Sequence, residues 1–160
     1  MKRSVEGLSR EQCLARPIPG TWTTHEVVCH LADSELLFAE RVKRILAEDR
    51  PPLVFADPKA FVLALASPHR NVAEEIELIA LVRRQIAAIL YDAPEESWRR
   101  EGVHNVTGAC TLRDVIAKAV THLEHHVRFI FEKRRAPRLS RLTAPHGSAG
   151  SIAAARTALC

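Results

Sequence analysis

The clearest pattern in the sequence is a set of apolar stripes spaced by three and four residues, the period of one face of an α-helix. The first stripe follows Thr23 and Glu26, which fit a capping box, and it stops before Pro51. This spacing predicts one long helix. Most residues on its face are apolar, but one is a histidine: Val27, His30, Leu31, Ser34, Leu37, Phe38, Arg41 and Ile45.

Two further stripes predict two more long helices. The second begins after Asn71, a plausible N-cap, ends before Pro94, and carries Ile76, Ile79, Ala80, Arg83, Ile86 and Leu90. The third begins at Thr111, has Asp114 in the box position and stops before Pro137. Its face contains two histidines among apolar residues: Leu112, Val115, Ile116, Ala119, His122, Leu123, His126 and Ile130.

The segments between the long helices give weaker signals. Ser9 and Gln12 suit the start of a short helix that Pro17 ends. Residues 53–70 contain two prolines, and we expect a crossing loop with a short helical piece. Residues 96–110 have turn chemistry at Gly102 and Gly108, and no β-hairpin is predicted there.

Composition narrows the class of protein. The 160 residues, 47% of them apolar, suit one globular domain, and the scarcity of β-branched and aromatic residues favours helices. The net charge is +4, and the Lys and Arg residues are interspersed with acidic residues except near "EKRRAPRLSR". Because no basic face is formed, we expect no nucleic-acid partner. No apolar run is long enough to span a membrane and no signal peptide is recognisable, so we expect a cytoplasmic protein with reduced thiols.

The histidines are the candidate chemistry. His122 and His126 stand four apart and therefore share the buried face of the third helix, and His30 lies on the buried face of the first. Burying imidazoles is costly unless each finds a partner, and one divalent metal would engage all three. His125 is turned about 100° from His126 and is expected to face solvent. Two alternatives without a metal remain open. The spacing of His122 and His126 could have arisen by chance, and His30 could be a core residue that is hydrogen-bonded within the protein.

The sequence also resembles a known family. "GTWTTHEVVCHLADSE" and "RREGVHNVTGACTLRDVIAKAVTHLEHHVRFI" are similar, in order, to motifs of the DinB-like, or YfiT-like, metal-dependent hydrolases. The resemblance implies an all-α, antiparallel four-helix bundle of the up-down-down-up type over residues 1–136. It also implies one divalent ion (zinc, nickel or iron) held by His30, His122 and His126.

Other residues of these motifs are weaker candidates. His104 matches a histidine of the family's connector, where it would bind substrate or pass a proton at the mouth of the site; a plain turn histidine is the alternative. Asp33 would orient a ligand imidazole by accepting a hydrogen bond from the ring nitrogen that does not bind the metal. The alternative is that Asp33 is a surface acid. Cys29 adjoins a ligand but is turned about 100° away, and no pair among Cys13, Cys29, Cys110 and Cys160 has metal-binding spacing.

The ends of the chain depart from the family pattern. We expect the first bundle helix to be truncated, which would leave an apolar groove that a second copy of the chain fills as a homodimer. Residues 137–160 are rich in Ser, Ala, Gly and Thr, and we expect a disordered tail.

The expected function is that of a metal-dependent enzyme that activates water or a low-molecular-weight thiol for hydrolysis of, or S-transfer to, a small electrophile. The alternative is a non-catalytic bundle that binds a metal or small ligand in a stress response; a structural remnant that binds no metal is a third. An acid or histidine within reach of the metal water would favour the enzyme.

Overall fold

The structure is a computed structural model and describes residues 1–136, so the predicted tail and Cys160 lie outside the described residues. The elements follow in the order α1 (Lys2–Val5), α2 (Arg10–Leu14), α3 (Thr24–Ala47), β1 (Pro52–Leu53), α4 (Pro58–Leu65), α5 (Val72–Tyr91), a 3-10 helix (Glu95–Arg99), β2 (Glu101–His104), β3 (Gly108–Thr111) and α6 (Leu112–Arg135). The three predicted long helices and the short helical piece are confirmed. No helix in this part of the chain is both long and apolar enough to cross a membrane.

Local capping chemistry sets the helix starts. Thr23 and Glu26 form a reciprocal capping box at α3, and Thr111 and Asp114 form another at α6. In each box the threonine oxygen accepts the N3 backbone N–H, while the acid accepts the N–H of the cap residue. Asn71 caps α5 by accepting the N–H of Ala73. These start signals are local in sequence, which is why the sequence alone predicted them.

Helix α3 lies at the centre, with α5 and α6 both packed against it. One buried cluster joins the start of α3 to the start of α5 and the end of α6, and a second joins the end of α3 to the end of α5 and the start of α6. These clusters are Val27, Val28, Leu31, Ala32, Ile76, Ile79 and Ile130, and Ala39, Val42, Ile45, Leu53, Ile86, Leu112 and Val115. Helix α5 is therefore parallel to α3, and α6 is antiparallel to both.

This arrangement matches the last three helices of an up-down-down-up bundle. Parallel neighbours require the chain to return along the length of the bundle, and residues 48–71, which include α4, make that return. The helices ahead of α3 are short: α1 has four residues and α2 has five.

An ion pair crosses the interior where the three long helices meet. The Arg83 guanidinium on α5 donates to both carboxylate oxygens of Glu35 on α3, at 2.9 and 2.7 Å, and to the carbonyl oxygen of Ala119 on α6 at 2.9 Å. Glu35 is only 4% exposed. The pairing explains why a charged residue occupies the apolar stripe of α5.

The connector before α6 forms a β-hairpin, so the expectation of no hairpin was wrong. Strands β2 and β3 pair antiparallel, and β1 adds to β2 in parallel. Neither strand alternates apolar and polar residues, which is the signal that predicts a hairpin from sequence. Gly102 packs so tightly that an added Cβ would lie 2.7 Å from Leu53 Cδ1. Packing against the bundle, rather than local pattern, specifies this hairpin.

Candidate metal centre

Three imidazoles from two antiparallel helices meet inside the bundle. His30 of α3 faces His122 and His126 of α6, with ring centroids separated by 5.0 and 4.8 Å. One nitrogen from each ring lies within 4.8 Å of the others, and His30 Nε2 is 3.1 Å from His122 Nε2. Nitrogen ligands at about 2.1 Å on one tetrahedral ion stand roughly 3.4 Å apart, close to this separation. These are the three histidines that the apolar stripes of the sequence placed on buried helix faces.

Burial controls the charge of the cluster. Together with the neighbouring imidazoles, it lowers the pKa of His122 to about 4 and that of His126 to about 3. Burial also lowers the pKa of His30, against an opposing effect of Asp33. All three rings are therefore neutral at pH 7. A neutral imidazole keeps one lone pair, which is the form that binds a metal ion.

The cluster leaves one polar atom without a hydrogen-bond partner among the described residues. His122 Nδ1 is buried and makes no hydrogen bond within residues 1–136. The Nε2 atoms of His30 and His122 share one contact between them, and Ser34 Oγ lies 3.5 Å from His30 Nδ1. An unsatisfied buried polar atom costs about 1–3 kcal/mol. In the described part of the chain, no other group of three His, Cys, Asp or Glu donors is close enough to hold one ion.

Aromatic rings enclose the cluster. Trp22 lies nearly parallel to the His126 ring, at a centroid distance of 6.2 Å, and tilted against His30 at 4.9 Å. Phe38 meets the edge of His122 at 5.7 Å. His125 is exposed, as expected from the helical wheel, and contacts the rings of His126 and Phe129. The sequence reasoning assigned no role to Trp22, although it stands in the quoted motif eight residues before His30.

In the structure, the carboxylate of Asp33 is paired with an arginine. Its two carboxylate oxygens accept hydrogen bonds from Arg70 at 3.0 and 3.1 Å, and Arg70 also binds Glu75. This pairing connects α3 to the start of α5. Among the described residues, the side chain within hydrogen-bond distance of His30 Nδ1 is Ser34. Asp33 therefore influences His30 through its charge rather than through a hydrogen bond.

Cys29 lies apart from the cluster, as its position on the helix indicated. Its sulfur is 3.8 Å from the ring nitrogens of His25, whose Nε2 is in turn 3.0 Å from the carbonyl oxygen of Arg70. Burial raises the pKa of the Cys29 thiol to about 11. The thiol is therefore protonated at neutral pH, and Cys29 is not part of the three-histidine group.

A cavity of about 630 Å³ opens beside the cluster, and His30 and His122 line it. Its walls come from α3, residues 53–61, the β2–β3 hairpin and α6. His104, at the end of β2, lines the same cavity. The Nδ1 atom of His104 accepts the backbone N–H groups of Val106 and Thr107 at 3.2 and 3.3 Å. In its neutral form His104 therefore carries its proton on Nε2.

Fold and site together define a class: a helical bundle with a partly buried set of three neutral histidines that could hold one metal ion, next to a cavity of small-molecule size. The comparison with known proteins agrees with this class. The sequence model of the DinB superfamily matches residues 1–130, and the chain belongs to that superfamily. The resemblance seen in the sequence motifs is thereby confirmed.

Similar proteins carry names that refer to metal-dependent hydrolysis. A protein of Oceanobacillus iheyensis named "Putative metal-dependent hydrolase" is 26% identical over 79% of this chain and 73% of its own length. The Bacillus subtilis protein "Putative metal-dependent hydrolase YfiT" is 28% identical over 84% of this chain and 76% of its own. The solved structure of YfiT, described as having an unusual four-helix bundle topology, matches with a TM-score of 0.78, covering 84% of this chain and 77% of that one.

Proposed function

We propose that this protein is a metal-dependent enzyme that uses one divalent ion, held by His30, His122 and His126, to transform a small electrophilic substrate. The observation that carries the proposal is the convergence of three neutral imidazole nitrogens within 4.8 Å. When bound, such an ion lowers the pKa of a water towards about 7 or binds a thiol as its thiolate. Imidazole ligands suit zinc, nickel and iron alike, and the proposal includes all three.

The chain's own residues have three tasks in this proposal. Trp22 and Phe38 fix the imidazole rings by packing against them. The cavity binds the substrate with its reacting carbon towards His30 and His122. The pairing of Asp33 with Arg70 anchors the part of α3 that carries His30.

His104 is the proposed hydrogen-bond donor to the reacting group. It lines the same cavity as two of the proposed ligands, and the backbone bonds to Nδ1 leave Nε2–H as its donor. Burial lowers the pKa of His104, with Arg41 adding to the effect, so the neutral form prevails at pH 7. The ring is then a hydrogen-bond donor to a leaving group or to a developing oxyanion. A donor that can stabilise a leaving group or an oxyanion in the cavity is the feature that favours an enzyme over a binding protein.

Two reactions share this machinery. In hydrolysis, a water oxygen bonds to the electrophilic carbon, the bond to the leaving group breaks, and the proton lost by water ends on that group. In S-transfer, the sulfur of a low-molecular-weight thiol forms the new bond, the leaving group departs with the bonding electron pair, and the thiol proton is released. Neither needs an oxidant. The second requires a reduced thiol, which is consistent with the expected cytoplasmic location.

The proposal includes a homodimer. A second, apolar cavity lies between α5 and α6, and its wall includes Val82, Ile86, Leu90, Ile116 and Val120. Val120 is 44% exposed, and an apolar surface of this kind is a common place for subunit contact. We expect Val120→Glu to reduce the molar mass measured by light scattering from two copies to one. A wild-type chain that is already monomeric would refute the dimer and leave the metal site untouched.

Metal analysis of protein purified without a histidine tag tests the site. We expect about one equivalent of metal in the wild type and a loss of most of it in His126→Ala. The matched control is His125→Ala, because His125 is the exposed neighbour on the same helix and should keep the metal. Metal content that is zero in all three proteins, or unaffected by His126→Ala, would end the proposal. Retention of metal without turnover of any ester or thiol–electrophile pair would favour the binding protein.

A further inference from the structure

The cavity beside the histidines contains two cations that have no carboxylate partner among the described residues. Arg41 of α3 and Lys118 of α6 both line it, and none of the ion pairs within residues 1–136 involves either. Most of the remaining wall is apolar: Leu37, Phe38, Leu53, Phe55, Ala56, Pro58, Phe61, Val106 and Val115. Arg41 is half-buried against these walls, where a cation attracts an anion more strongly than it would when fully surrounded by water.

The acids of the same cavity are already engaged. The carboxylate of Asp33 binds Arg70 through two hydrogen bonds. The carboxylate of Asp114 accepts the N–H and the hydroxyl of Thr111 at the start of α6. The partners of Asp114 are neutral, so it keeps its charge, but among the described residues neither acid forms an ion pair with Arg41.

Arg41 is held in place before any ligand arrives. One guanidinium nitrogen, Nη2, donates to the carbonyl oxygen of Val54 at 2.8 Å, and the group lies over the Phe38 ring at 5.8 Å from its centroid. This single bond leaves most of the five guanidinium N–H donors free. A fixed guanidinium with free donors is suited to bind the two oxygens of a carboxylate side by side.

Arg41 follows His30 by eleven residues on α3, which corresponds to about 16 Å between their backbone positions. Its guanidinium is nearer to the cluster, because it lies 5.8 Å from the Phe38 centroid and that ring is 5.7 Å from the ring of His122. An anion bound at Arg41 would therefore lie within the length of one small molecule from the proposed metal. The charge serves recognition, while the reacting part of the same molecule lies at the histidines.

We propose that the substrate is an apolar molecule that carries a carboxylate, and that Arg41 binds this carboxylate while the apolar body fills the cavity. The reaction at the far end rests on the function proposed above, but the carboxylate binding does not. A cavity of about 630 Å³ lies within the usual range of roughly 300–1,000 Å³ for small-molecule sites. Lys118, which is exposed, adds a smaller attraction at the rim.

Calorimetry with a matched pair of probes tests this inference. 2-Naphthoate and its neutral amide have the same apolar body, and the full-length protein is titrated with each in the presence of a chelator. We expect the wild type to bind the acid at least 10-fold more tightly than the amide. Arg41→Met should abolish this preference, and Arg84→Met, which removes an exposed arginine of α5 outside the cavity, should retain it.

The chelator separates this result from the fate of the metal site, because the bound carboxylate then has no metal to coordinate. His126→Ala should lose metal and keep the acid preference. Arg41→Lys retains the charge and should show an intermediate preference, which decides the matter if Arg41→Met does not fold by circular dichroism. Equal binding of acid and amide by the wild type, or an undiminished preference in Arg41→Met, would overturn the inference.

Discussion

Acid should destabilise the metal-free protein through its buried histidines. The pKa of His122 is about 4 and that of His126 about 3, whereas an unfolded histidine has a pKa of about 6.5. Because the folded values are depressed, the unfolded state binds more protons below pH 6.5. Stability is therefore complete above that pH and is lost as the pH falls towards the folded values.

The magnitude follows from the two shifts. At pH 5 each unfolded imidazole is protonated and each folded one is neutral, which corresponds to a loss of about 2 kcal/mol per ring. The rings are only partly buried, so solvent screening reduces this to about 1–2 kcal/mol each. Substituting one of these histidines should therefore lower the slope of the unfolding free energy against pH by about 1 kcal/mol per pH unit.

Urea denaturation between pH 7.5 and 5, with a chelator present, measures this effect. The free energy of unfolding of the wild type should decline more steeply with falling pH than that of His126→Gln. The control is His125→Gln, which alters an exposed ring next to the cluster and should follow the wild type. Carboxylates that titrate in this range are common to all three proteins and cancel in the difference. If His126→Gln retains the wild-type slope, the imidazoles are not buried as described.

Three further predictions concern the interior and the cavity. Gly102→Ala should destabilise the protein by about 1–3 kcal/mol in urea denaturation, because the new Cβ would meet the buried Leu53 side chain at 2.7 Å; an unchanged midpoint would contradict this packing. Glu35→Ala should cost about 1–3 kcal/mol by leaving Arg83 without its carboxylate, and Glu35→Leu combined with Arg83→Met should recover most of the loss. Once a substrate is found, His104→Leu should lower kcat by about 10²-fold or more with unchanged metal content, because it removes the Nε2–H donor; an unaltered kcat would exclude this donor role.

The sequence was most informative where the signal is local or periodic. The capping boxes at Thr23 and Thr111 and the cap at Asn71 lie within three residues of their partners, so the helix starts could be predicted. The stripes placed His30, His122 and His126 on buried faces because helical period alone fixes those faces. Their convergence required in addition that α3 and α6 run antiparallel, which the family resemblance implied.

What the sequence did not reveal depends on contacts between distant residues. Asp33 lies three residues after His30 and was a candidate to orient an imidazole, but its partner is Arg70, 37 residues away. The hairpin has no alternating pattern, and the close fit of Gly102 against Leu53 is visible only in three dimensions. Arg41 and Arg83 both occupy apolar stripes, yet Arg83 binds the buried carboxylate of Glu35, whereas Arg41 lines the cavity and has no carboxylate partner within residues 1–136. No local signal distinguishes these two arginines.

The proposed metal ligands come from two helices alone, whereas the substrate cavity also includes the connecting segments. The ligands belong to α3 and α6, whereas the outer cavity wall comes from residues 53–61 and from the β2–β3 hairpin, which β1 joins into one small sheet. Connecting segments vary more readily than helices, because fewer core contacts constrain them. Substitutions at Phe55 or Val106 should therefore alter which molecules bind while leaving the metal content unchanged. On this reasoning, relatives can share the three-histidine motif and still act on different substrates, so the motif identifies the site and the cavity wall determines its ligand.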